Sequence, residues 1–167
     1  MNLAALALRT GQDPGRANHP AFMTLDGPVG NAAFQRTVFA LVADLTQLGV
    51  KPGDKILLRM TNSIEFAAAL LAAIWVGAIP VLQNSQLGQS ELEHIVALSQ
   101  PTLFLLSDTM RQDGSTAGSR PDVPRMIVTG NGLVSLALIT TNTTALSLAS
   151  RESGANAPQL VVTALGP

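Results

Sequence analysis

The sequence predicts an α/β domain: a mostly parallel sheet flanked by helices on both faces. Short apolar runs alternate with segments whose apolar residues recur every three or four positions. The connections between them are brief and built from Gly, Pro, Asn and Asp. The run Ile56-Leu57-Leu58 is apolar at consecutive positions, as in a strand covered on both faces. Strand and helix in strict alternation with short links give βαβ units, and these build a parallel sheet.

Residues 2–10 predict a short opening helix. Asp13-Pro14-Gly15 and His19-Pro20 mark loop. A strand is expected over Ala21–Leu25, ended by Asp26-Gly27-Pro28. From Asn31 the period changes. Phe34, Val38, Leu41, Leu45 and Leu48 fall on one helical face, and Gly49 supplies the stop. Lys51-Pro52-Gly53-Asp54 is turn chemistry and leads into a strand over Lys55–Met60. Asn62-Ser63-Ile64-Glu65 has the spacing of a capping box with Asn62 as the cap. The helix expected from Ser63 to Val76 is alanine-rich, which favours helix and close packing.

Gly77 ends that helix, and Ile79–Leu82 predicts a short strand. Ser90-Glu91-Leu92-Glu93 reads as a second capping box, followed by an inner stripe of Leu92, Ile95 and Val96. Pro101 stops this helix ahead of a strand over Thr102–Leu106. Residues 108–124 are rich in Gly, Ser, Asp and Arg and are expected to form a mobile loop. Arg125–Thr129 and Gln159–Ala164 predict two further strands. Between them, residues 130–150 hold no charged residue and no clear period.

A chain of 167 residues suffices for one domain around one core. With 47% hydrophobic and 13% charged residues, it is more apolar than an average soluble domain. The near balance of 10 Lys and Arg against 11 Asp and Glu leaves no electrostatic footprint for nucleic acid or an anionic membrane. The chain has no cysteine, which removes disulfides, thiolate metal sites and Cys nucleophiles, and fits a cytoplasmic protein. The opening residues lack the basic flank of a secretory signal. Phe66–Leu82 carries no charge, but Gly77 and Pro80 interrupt it, so a buried helix turning into a buried strand is expected.

Residues with chemistry are sparse. His19 sits in a Pro-flanked loop and His94 on the outer side of its helix, too separate for a metal site. Glu91 and Glu93 point to different sides of one helix, with Glu93 assigned to capping. Gly130-Asn131-Gly132 lacks the third Gly and the Lys of a phosphate loop and reads as a turn. Trp75, on an alanine-rich helix, reads as packing.

One stretch has a specific pattern. Leu48-Gly49-Val50-Lys51-Pro52-Gly53-Asp54-Lys55-Ile56 is followed by Asn62-Ser63-Ile64-Glu65-Phe66 and then Gly77-Ala78-Ile79-Pro80-Val81. This order and spacing resembles the AMP-forming acyl- and aryl-CoA synthetases of the adenylate-forming superfamily. The resemblance covers about residues 31–108, including Gln89–Leu105, where that family has a helix before a strand. Two departures stand out: Thr61 replaces a Pro, and Gly30-Asn31-Ala32-Ala33-Phe34 replaces a Thr-Tyr-x-Glu-Leu segment.

The resemblance implies an incomplete copy of the family's first N-terminal subdomain. It implies a family reaction in which ATP and a carboxylic acid form an acyl-adenylate, then a thioester with coenzyme A, using Mg. The loop that holds the triphosphate is rich in Ser, Thr and Gly and ends in Lys, so that backbone amides and a cation meet the phosphates. In the family it follows a strand placed like Gln159–Ala164; here Leu165-Gly166-Pro167 follows, and no Lys occurs after Lys55. The resemblance therefore assigns no catalytic, cofactor-binding or metal residue to this chain and leaves the substrate residues open. A truncated ligase piece, inactive alone and without its own ATP, Mg or CoA, is the leading expectation. Its partner would be the remainder of the ligase or a second copy. A non-catalytic interaction module using 130–150, and a binder retaining part of an acid pocket, are the alternatives.

Overall fold

The structure, a computed structural model, describes residues 2–107, 110 and 123–128. The expected strand Gln159–Ala164, the 130–150 span and most of the 108–124 loop lie outside the described residues. In chain order the elements are α1 (Leu3–Gln12), β1 (Pro20–Thr24), β2 (Gly27–Gly30), α2 (Asn31–Gln47) and β3 (Lys55–Arg59). They continue with α3 (Ile64–Trp75), β4 (Ile79–Gln83), α4 (Gln89–Ser99), β5 (Leu103–Ser107) and β6 (Arg125–Val128).

Four of these strands form one parallel sheet in the order β4-β3-β5-β6. Consecutive apolar residues divide between its two faces, as a period of two requires. Ile56, Leu58, Leu103, Leu105, Met126 and Val128 face a core shared with α1, α2 and α3. Leu57, Phe104 and Leu106 face a smaller core under Leu92 and Val96 of α4. Helices on both faces were expected, and this division explains why the strands read as unbroken apolar runs.

The helical face set by Phe34, Val38, Leu41 and Leu45 is buried as its spacing predicts, with Leu48 packed at its end. Ala68, Ala69, Ala72 and Ala73 of α3 are fully buried, their small side chains letting helix, sheet and α2 approach closely. Trp75 packs edge-on against Phe39, ring centroids 4.8 Å apart, so its role is packing. Asn2 ties two helices together. Its Oδ1 accepts from the backbone N–H of Ala4 at 2.9 Å, while its Nδ2 donates to the Ile74 and Trp75 carbonyls that end α3.

Three expectations need correction. The cap of α3 is Ser63, not Asn62: the Ser63 hydroxyl accepts from Phe66 N–H at 3.2 Å. The helix after β4 starts earlier than the Ser90 box implied, with Gly88 as its cap. There it is Glu91 whose carboxylate accepts from the Gly88 N–H at 2.9 Å, while Glu93 accepts from the Gln89 side chain. Asp26-Gly27-Pro28, read as the turn that ends a strand, instead leads into Gly27-Pro28-Val29-Gly30, which forms β2 and pairs antiparallel with β1. Gly27 adopts φ +118°, which permits the tight reversal.

β4 lies at one edge of the sheet among the described residues. The Ile79 N–H donates inward to the Asp54 carbonyl at 2.7 Å, so ladder alternation turns the Pro80 nitrogen outward. That position needs no donor, which is why proline is tolerated there.

Candidate functional site

In an open parallel sheet, ligands bind outside the carboxyl ends of the strands, where the chain's path reverses direction across the sheet. Here β3 is that point: the chain moves from β3 to β4 on one side and returns to β5 on the other. A cleft of about 520 Å³ opens beside it, with Met60, Thr61, Asn62 and Phe66 on one wall and the segment Leu82–Gln86 on the other.

Two polar residues end the apolar runs that precede this cleft. Arg59 closes β3 and Gln83 closes β4, and strand register places them side by side. Both are buried, 3% and 5% exposed. The Arg59 guanidinium donates from Nη1 to Gln83 Oε1 and from Nη2 to the carbonyls of Ser85 and Leu87, each at 3.3 Å. It thereby fastens the loop after β4 to β3. Asn84 shapes the same loop, its Oδ1 accepting from the Gln86 N–H at 2.9 Å. Arg59 Nε and Gln83 Nε2 are buried with no hydrogen-bond partner among the described residues. Because Gln83 Oε1 is engaged by Arg59, the amide orientation is fixed and Nε2 points away from the guanidinium.

Among the described residues the cleft wall carries hydroxyls and amides but no imidazole or carboxylate, so these residues supply no general base for a nucleophile. The described residues do not fit a nucleoside triphosphate there either. The cation at the strand ends, Arg59, is committed to the loop carbonyls, and Lys51 and Lys55 stand at the amino end of β3. No step is therefore assigned to a nucleotide on these residues.

The residues weighed for other chemistry stay apart. His94 is exposed on the outer side of α4. His19 is exposed in the loop before β1, its backbone carbonyl accepting from Asn31. No group of His, Cys, Asp or Glu among the described residues could hold a metal ion. Gly130-Asn131-Gly132 lies outside the described residues. Among the described residues no helix is long and apolar enough to cross a membrane, and the charge-free stretch Phe66–Leu82 is α3 running into β4. Neither Arg59 nor Gln83 stands out as a site residue in the sequence. Their signal was a polar residue ending each apolar run.

Comparison with known proteins decides the family. The pattern of AMP-binding enzymes matches residues 15–159. The chain belongs to the AMP-binding enzyme family. A salicyl-AMP ligase / salicyl-S-ArCP synthetase of Mycobacterium tuberculosis is 35% identical over 82 residues, 49% of this chain and 14% of that protein. A nicotinic acid–CoA ligase of Penicillium canescens is 29% identical over 105 residues, 63% of this chain and 17% of that protein. The fold is that of a benzoate CoA ligase from Burkholderia xenovorans LB400, with a TM-score of 0.68 at 21% identity over 88% of this chain and 31% of that one. This AMP-binding family chain thus spans a small fraction of the ligases it matches.

Proposed function

We propose that these 167 residues form the leading part of an AMP-forming acid–thiol ligase and do not adenylate an acid by themselves. The supporting observation is the match to ligases of which the chain spans 14% to 31%. The sequence agrees with it: no Lys follows Lys55, so no Ser/Thr/Gly-rich loop ends in the cation that would meet a triphosphate. The structure's contribution would be a scaffold. The β3–β5 sheet and the Arg59-fastened loop would present one wall of a carboxylic acid ligase to the sequence that completes it. That completing sequence, whether in the same polypeptide or in a second one, is the partner implied.

The test is ATP–pyrophosphate exchange on the purified 167-residue chain with salicylate, nicotinate, benzoate and fatty acids. The expected result is exchange no higher than an acid-free blank. Acid-dependent exchange above that blank would refute the reading.

A further inference from the structure

We infer a second binding site, for a small aromatic monocarboxylate, in the hollow between α1, the β1–β2 hairpin and α2. The hollow measures about 500 Å³ and shares no lining residue with the cleft at the strand ends. Its floor is aromatic and aliphatic. Phe22 and Phe34 meet edge to face, centroids 4.8 Å apart at 65°, with Leu71 of α3 beside them. Its rim is cationic and hydrogen-bond donating: Arg16 and His19 line it, and no Asp or Glu does. Among the described residues neither side chain makes a hydrogen bond or an ion pair. The nearest acid in sequence, Asp13, turns its Oδ1 to the Gly15 N–H at 2.9 Å.

The loop holding both groups is fixed rather than loose. Asn31, the first residue of α2, donates from Nδ2 to the Arg16 carbonyl at 3.1 Å and to the His19 carbonyl at 2.9 Å. The Ala32 N–H donates to the Ala17 carbonyl at 2.8 Å, and the Ala17 N–H to the Asp13 carbonyl at the same distance. An uncommitted guanidinium on an anchored loop is suited to bidentate contact with a carboxylate. One permanent positive charge matches a monoanion. The imidazole adds a ring N–H donor. Aromatic rings meeting at an angle leave an edge-and-face surface that favours a third ring over an alkyl chain.

The test is benzoate titration of the full 167-residue chain, followed by amide chemical shifts and calorimetry. Saturable, one-to-one binding is expected, with the largest shifts over residues 7–34. Arg16→Ala is expected to weaken binding about tenfold, the scale of one charge-assisted contact. Arg16→Gln repeats that loss in a variant of similar size, and Arg16→Lys falls between it and the parent. Acetate, lacking the ring, and benzyl alcohol, lacking the charge, each bind at least about tenfold more weakly. Arg16 is exposed, so thermal unfolding of these variants should match the parent. The inference is overturned by non-saturable shifts, by an Arg16→Ala affinity equal to the parent's, or by shifts centred on residues 60–86. None of these outcomes depends on ligase activity.

Discussion

Gly77 offers a sharp test of how α3 is joined to the sheet. It follows the helix at φ +82°, and its carbonyl accepts from the Gly53 N–H at 2.9 Å, stitching the turn before β3 to the end of α3. A Cβ placed there would stand 3.1 Å from Pro52 Cβ and 3.4 Å from Pro52 Cα. Gly49 has a similar φ of +77° but nothing within 4 Å of its would-be Cβ. An L-residue in the left-handed region costs about 1–2 kcal/mol, so Gly49→Ala should lose about that much. Gly77→Ala carries the same strain plus overpacking of about 1–3 kcal/mol, because a proline ring tied to backbone cannot swing aside. The lower entropy of the unfolded alanine chain offsets part of both, and cancels in the comparison.

The contrast between the two variants, about 1–3 kcal/mol, corresponds to roughly 2–12 °C in Tm for a chain of this size. Urea unfolding followed by the fluorescence of Trp75, the sole tryptophan, measures it directly. Equal losses in the two variants would show that the Pro52 contact is soft. No loss in either would refute the strain argument itself.

Two further outcomes are expected from the same unfolding assay. Ser63→Ala should lose about 1 kcal/mol as the α3 cap is removed, whereas Asn62→Ala, which makes no capping bond, should stay within about 0.5 kcal/mol; the reverse order would restore the Asn62 cap. Burial in α2 raises the Asp44 carboxyl above its usual 3.8, so the native state holds that proton more tightly than the unfolded chain. The unfavourable effect of the charge therefore grows as pH rises from about 3.8 through the raised value. Asp44→Asn should raise Tm at pH 7 and lose that advantage in acid below the unfolded value; a gap independent of pH would exclude the carboxylate as its source.

The elements legible in the sequence are those set by local pattern. The stripe Phe34, Val38, Leu41 and Leu45 and the glycine stop at Gly49 both depend on residues within a few turns of one another. The strands β3 and β5 announced themselves because burial on both faces leaves no polar alternation to blur them. β2 was missed for the opposite reason: Gly27-Pro28-Val29-Gly30 has turn composition, and only pairing with β1 makes it a strand. Caps shifted because Asn62 and Ser63 are both competent and backbone geometry chooses between them. At Gly88 the capping residue offers no side chain, so the readable sign was the Glu91 carboxylate three positions on. The pairing of Arg59 with Gln83 depends on strand register across 24 residues, which no local pattern encodes.

The outward nitrogen of Pro80 bears on how this chain behaves beside copies of itself. A sheet border normally invites a stranger's backbone to zip alongside it. Here the alternation leaves Pro80 and Leu82 facing out, and only the second has a hydrogen to give. A visiting strand would find one of the two outward donors gone while both outward carbonyls still accept, so strand addition along this border of the described sheet is weakened although Ile79 and Leu82 are half exposed. Among the described residues, an edge with exposed apolar side chains and one donor fewer shifts the balance toward side-chain contact.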